Sequence, residues 1–250
     1  MTKRMNVISR ILYITPVVLF ACLMLSMDLL AQSKDIKKSP HYTKVGFFDI
    51  HVCNWPERKL FLMSLFATTH FNEIKSIDIF FPDGKLLTRL DQNRYKLISK
   101  KGTQEKRAFI NQTDVAENAP DGWYTAKIHM NNGDIYTSKD YVEIKKLPMV
   151  SITQPLNSDL PAPYTNLLSW EPVSKDAFYQ VFIRDIWDEE KLVFKSKLST
   201  KTSVTVPDGL MNPGNHYKWV IHARNINEHP LYGDFNHGSM SSPMQFKFEE

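Results

Sequence analysis

The chain has 250 residues, 42% hydrophobic and 23% charged, a balance that excludes general disorder and gives room for two domains of ordinary size. Its net charge of +4 falls to +2 once Lys3, Arg4, Arg10 and Asp28 are removed with the first 31 residues. That is too weak a field to argue for nucleic acid or anionic lipid as a partner. Aromatic residues make up 12% of the chain and glycine only 9 positions, which leans toward half-buried pleated surfaces.

Lys3, Arg4 and Arg10 precede an apolar run from Ile11 to Met27, and Leu29 and Ala31 then stand before polar Gln32. A basic start, an apolar middle and a small-residue exit are the parts of a signal peptide, with cleavage expected after Ala31. Two rival readings are an uncleaved membrane anchor and a lipoprotein lipidated at Cys22 within Leu19-Phe20-Ala21-Cys22. All three put the rest of the chain outside the cytoplasm, in the periplasm, at the cell surface or in the medium. Cleavage leaves Cys53 as the sole thiol, so no internal disulfide can form and each fold must stand on apolar packing. A disulfide-free exported chain suits a bacterial envelope.

Residues 32–44 read as a polar tether. From Val45 short alternating runs follow one another, with no helical period longer than two turns. Val45–His51, Lys59–Thr69 and Ser76–Phe81 come first, then the turn Pro82-Asp83-Gly84-Lys85. Leu86–Leu90, Tyr95–Ile98 and Arg107–Ile110 are weaker runs. Asp121-Gly122-Trp123-Tyr124 opens a strong strand that Asn132-Gly133 turns into a hairpin with Ile135–Thr137. Tyr141–Ile144 completes a first β-sandwich over residues 45–147. Its likeness to bacterial immunoglobulin-like modules is general only.

Pro148 marks the boundary to a second unit, residues 148–250. Its expected strands are Met149–Thr153, Leu167–Trp170, Phe178–Asp185, Leu192–Lys195, a strand through Val204 and Val206, one from Tyr217 to Arg224, and one from Met244 to Phe248. Leu168-Ser169-Trp170-Glu171-Pro172 resembles the second-strand signature of fibronectin type III domains. Met211-Asn212-Pro213-Gly214-Asn215-His216-Tyr217 is similar to the turn and tyrosine before their sixth strand. The resemblance implies buried Trp170, Tyr217 and Trp219, with the Tyr217 hydroxyl bonding back to backbone just upstream. The fold class expected is therefore all-β, two tandem sandwiches, and that fold by itself implies no activity.

Candidate chemistry is sparse. No nucleophile elbow, phosphate-binding glycine loop or zinc spacing occurs, so no catalytic residue, metal site or cofactor is expected. The acidic group Asp185, Asp188, Glu189 and Glu190 lacks the spacing of a calcium loop and reads as a solvated turn. Asn225–Met240 stands out as a long, aromatic-rich loop between the last two strands. His229, Tyr232, Phe235 and His237 within it, with Trp187 in the acidic turn, are the expected binding residues. The function expected is a non-catalytic envelope or surface module that binds a protein or glycan. A structural spacer and an accessory subunit of an envelope enzyme are the alternatives.

Overall fold

The structure is a computed structural model that describes residues 39–99, 102–154, 166–226 and 235–248. The expected signal segment, with Cys22, lies outside these residues. Among them the chain is all strand, without a helix.

Strands β1 (Tyr42–Thr43), β2 (Gly46–Asn54), β3 (Phe61–Thr68), β4 (Ile74–Phe80), β5 (Leu86–Arg89) and β6 (Tyr95–Leu97) are followed by β7 (Arg107–Asp114), β8 (Gly122–Met130) and β9 (Ile135–Val142). The order β2-β3-β7-β6 forms one sheet of a sandwich and β5-β4-β8-β9 the other. Alternate residues of both sheets meet in one core, with Phe48, Ile50, Leu62 and Phe66 of one sheet against Ile77, Ile79, Tyr124 and Ile128 of the other. The two short runs expected around Ser138 are one continuous strand, because β8 pairs with β9 without a break from Gly122 to His129.

The second unit contains β10 (Ile152–Gln154), β11 (Leu167–Trp170), β12 (Phe178–Asp185), β13 (Lys191–Lys195), β14 (Ser203–Thr205), β15 (His216–Ile226), β16 (Phe235–Met240) and β17 (Met244–Lys247). The sheet β10-β11-β14 faces a sheet in which β13, β12 and β15 are joined by β16 and β17. Leu168 and Trp170 pack there against Val181, Ile183, Trp219 and Ile221. The strict alternation of Tyr217, Trp219, Ile221 and Ala223 inward on β15 is why that strand fixes the core. The Asn212 backbone N–H donates to the Tyr217 hydroxyl at 2.8 Å, the corner that the resemblance implied. The first unit has a similar device one residue shorter, the Tyr124 hydroxyl donating to the Pro120 carbonyl at 2.9 Å.

Two expectations are corrected. Asn225–Met240 is not one long loop: β15 runs on to Ile226 and β16 pairs with it from Phe235, leaving only residues 227–234 between them. The last strand thus begins at Phe235 and is broken at Ser241, where the Ser241 side chain accepts from the Ile221 N–H and the Ser241 N–H donates to the Ile221 carbonyl. The polar stretch 32–44 is not tether throughout, since His41 is buried and β1 pairs with β2.

A further feature, which the sequence did not announce, joins the two units. β16 pairs in parallel with β2, so one sheet runs β13-β12-β15-β16-β2-β3-β7-β6 through both units. The seam is bonded beyond the ladder. Ser239 Oγ donates to the Pro148 carbonyl (2.7 Å), His237 Nε2 to that of Glu143 (2.9 Å) and Asn54 Nδ2 to that of Leu147 (2.9 Å). Three side chains hold the connection between the units against the ladder that joins them.

Candidate functional site

The face of the shared sheet turned away from both cores carries a groove of about 960 Å³, and every strand from β13 to β6 lines it. Most of its residues are the outward half of each alternation. His51 and Cys53 come from β2, Phe182 and Arg184 from β12, and Lys218, Val220, His222 and Arg224 from β15. Since successive side chains point to opposite faces, the register that buries Trp219 and Ile221 presents this row to the groove.

An aromatic group crosses the seam. The His222 ring lies 5.7 Å from Trp55 of the first unit and 4.8 Å from Phe182 of the second. Burial, helped by Arg224 and Lys96, pushes the His222 pKa down to about 4, so this ring is neutral at physiological pH. Burial pushes the Cys53 thiol up to about 12, which keeps it an unreactive apolar filler. Lys195 Nζ sits 5.7 Å above the Phe182 ring.

Charge in the groove is one-sided. Arg94, Lys96, Arg184, Lys195, Lys218 and Arg224 line it, against Glu190 as the sole carboxylate among the lining residues. Glu190 is ion-paired to Lys218. Burial lowers the pKa of Arg224 from its usual value, the mark of a cation held partly out of water. A neutral aromatic floor under a cationic wall suits a ligand with planar or sugar faces and negative charge.

The residues expected to bind are placed differently. His229 and Tyr232 lie outside the described residues, and Phe235 starts β16, its side chain likewise outside them. His237 borders the groove but is buried, its ring held between the Glu143 carbonyl and Asn225 Nδ2. Trp187 is 64% exposed, stacks on His216 at 5.0 Å, and does not line the groove. The acidic turn is satisfied internally, Asp188 by Lys191 and Asp185 by Asn215 and the Trp187 N–H.

A second polar group was also missed. His41, Asp49 and Asp140 are all buried, and each offers a ligand atom within 4.8 Å of the others. They come from the segment before β1, from β2 and from β9, so no spacing along the chain announces them.

No protein-family model and no curated protein matches the chain. Solved structures similar to it include Salmonella alpha-2-macroglobulin reacted with methylamine (12% identity, TM-score 0.25), where 84% of this chain covers 15% of that one. Dimeric latent PorU from Porphyromonas gingivalis is 12% identical with a TM-score of 0.28, over 82% of this chain and 20% of that one. The two immunoglobulin domains of DIP-gamma are 10% identical with a TM-score of 0.23, over 82% and 98%. These TM-scores are too low to carry an argument, and the all-β sandwich architecture rests on the strand pairing itself.

Proposed function

We propose that this chain is an exported, non-catalytic binding module whose groove takes an acidic glycan. The observation that carries the reading is the Trp55–His222–Phe182 aromatic row, ringed by six cations against one carboxylate among the lining residues, on a surface that both units build. Aromatic faces stack on sugar rings, and lysine and arginine meet carboxylates or sulfates. The pattern of residues 3–31 supports the export part of this reading. The three-stranded sheet β10-β11-β14 facing β13-β12-β15 supports the fibronectin type III reading of residues 148–250.

The test is calorimetric titration with heparin or polygalacturonate against neutral dextran. Binding only to the charged polymers, weakening as salt rises, is expected. Trp55→Ala together with Lys96→Ala is expected to weaken it by about 2 kcal/mol or more, the scale of a binding hot spot. Equal binding of dextran, or no binding of either polymer, would sink the proposal. A protein partner remains the second reading within this class. The spacer reading draws on the β16–β2 pairing, which fixes the two units in one sheet; it predicts an unliganded groove and no effect of either substitution.

A further inference from the structure

The edge of β2 between β1 and β16 has an unusual set of partners. The Phe48 N–H donates to the His41 carbonyl at 2.9 Å, and the Phe48 carbonyl accepts from His41 Nδ1 at 2.9 Å. The Ile50 N–H donates to Asp140 Oδ2 at 2.7 Å. Side chains thus complete the ladder where neither neighbouring strand reaches.

These bonds also orient the side chains. With Nδ1–H held on a carbonyl, His41 keeps Nε2 as its lone-pair nitrogen, and Nε2 lies 3.7 Å from Asp140 Oδ1. Asp140 is anchored through its other oxygen. Asp49 is anchored likewise, Oδ2 accepting from His51 Nε2 at 2.5 Å. Its Oδ1 is buried without a hydrogen-bond partner in a residue that is 1% exposed. A carboxylate oxygen so placed loses its hydration with nothing in return.

We propose that His41, Asp49 and Asp140 bind one divalent transition-metal ion, zinc foremost, as a structural clasp. Each ligand has its far atom fixed by a hydrogen bond, the support that metal-ligating histidines and carboxylates require. The two carboxylates carry the charge that a divalent ion neutralises. One imidazole nitrogen with two carboxylate oxygens fits zinc or manganese, whereas calcium takes oxygen alone. Tetrahedral zinc holds its ligand atoms about 3.3 Å apart, given bonds of about 2.0–2.1 Å. The spread of up to 4.8 Å therefore closes by small side-chain rotations. The ion joins the segment before β1, β2 and β9, and so ties the start of the described chain to both sheets of the first unit.

The experiment uses the purified chain, stripped with a chelator and titrated with zinc chloride by calorimetry. One equivalent of zinc with a raised Tm is expected, and cobalt(II) in its place is expected to give the visible absorption of a low-symmetry site. Asp49→Asn keeps the size of the side chain and should weaken zinc affinity by more than about 100-fold, beyond the range for losing an outer partner. Its metal-free Tm should be unchanged or higher, since a buried negative charge is gone. Three results would overturn the proposal. They are no stoichiometric zinc uptake by the parent chain, a featureless cobalt(II) spectrum, or full zinc binding by Asp49→Asn, which would place the ion on surface histidines. A lower metal-free Tm in Asp49→Asn without zinc uptake by the parent would identify a plain hydrogen-bonded network of these carboxylates with His41 and His51. The parent titration and the cobalt(II) spectrum decide the matter even if Asp49→Asn fails to fold.

Discussion

Replacing Trp170 separates two properties of one buried ring. The residue is 5% exposed, lies 5.6 Å from the Tyr179 ring, and its indole Nε1 has no hydrogen-bond partner. Burying about 250 Å² of indole at about 25 cal/mol per Å² contributes about 6 kcal/mol. The unpartnered N–H takes back about 1–3 kcal/mol. Trp170→Ala should therefore cost about 3–5 kcal/mol, the range seen for truncated core aromatics. Trp170→Phe keeps about four-fifths of the apolar area and removes the N–H, so its cost should be about 1 kcal/mol or less. Urea unfolding followed by far-UV circular dichroism measures both, provided the transition stays cooperative and its m-value constant. An Ala variant within about 1 kcal/mol of the parent would make the ring peripheral and refute the core assignment. A Phe variant as costly as Ala would refute the unpartnered N–H.

Gly46→Ala should cost about 1–3 kcal/mol through overpacking, because the added Cβ meets the Phe66 ring at 2.5 Å and the Ala67 carbonyl at 2.7 Å; a neutral result in the same urea assay would count against this packing. Stability should fall as pH drops from about 6.5 to about 4, the window in which His222 is protonated when unfolded but neutral when folded. The unfolded state binds the extra proton there, so the slope of stability against pH is positive, and His222→Gln should flatten it; an unchanged slope would remove His222 from the account. N-terminal sequencing of the exported chain should begin at Gln32, whereas a lipid-modified start at Cys22 or an intact Met1 would replace the cleaved signal by the lipoprotein or the anchor.

Core positions were legible because alternation reports burial directly. Val181, Ile183, Trp219 and Ile221 are inward by sequence and fully buried in the structure. The outward halves of the same strands were just as visible, but a sequence does not say which outward face meets solvent and which lines a groove. Lys218, His222 and Arg224 read as surface residues until β12 and β2 are placed beside them. β16 escaped notice because Asn236, Gly238 and Ser239 are poor strand formers by composition, and the strand exists through its two neighbours, β15 and β2. The same holds for His41, Asp49 and Asp140, which backbone pairing of distant segments brings together.

The β16–β2 ladder also sets an order on biosynthesis. A ribosome releases β2 long before β16, and until residues 237–239 arrive the edge at Val52–Asn54 has no strand to occupy it. An open edge rich in apolar residues is a template for another chain, so the nascent first unit is exposed to intermolecular pairing for most of synthesis. Chains stopped short of Phe235 should carry that hazard permanently and collect as aggregates, even though every residue of the first core is already present.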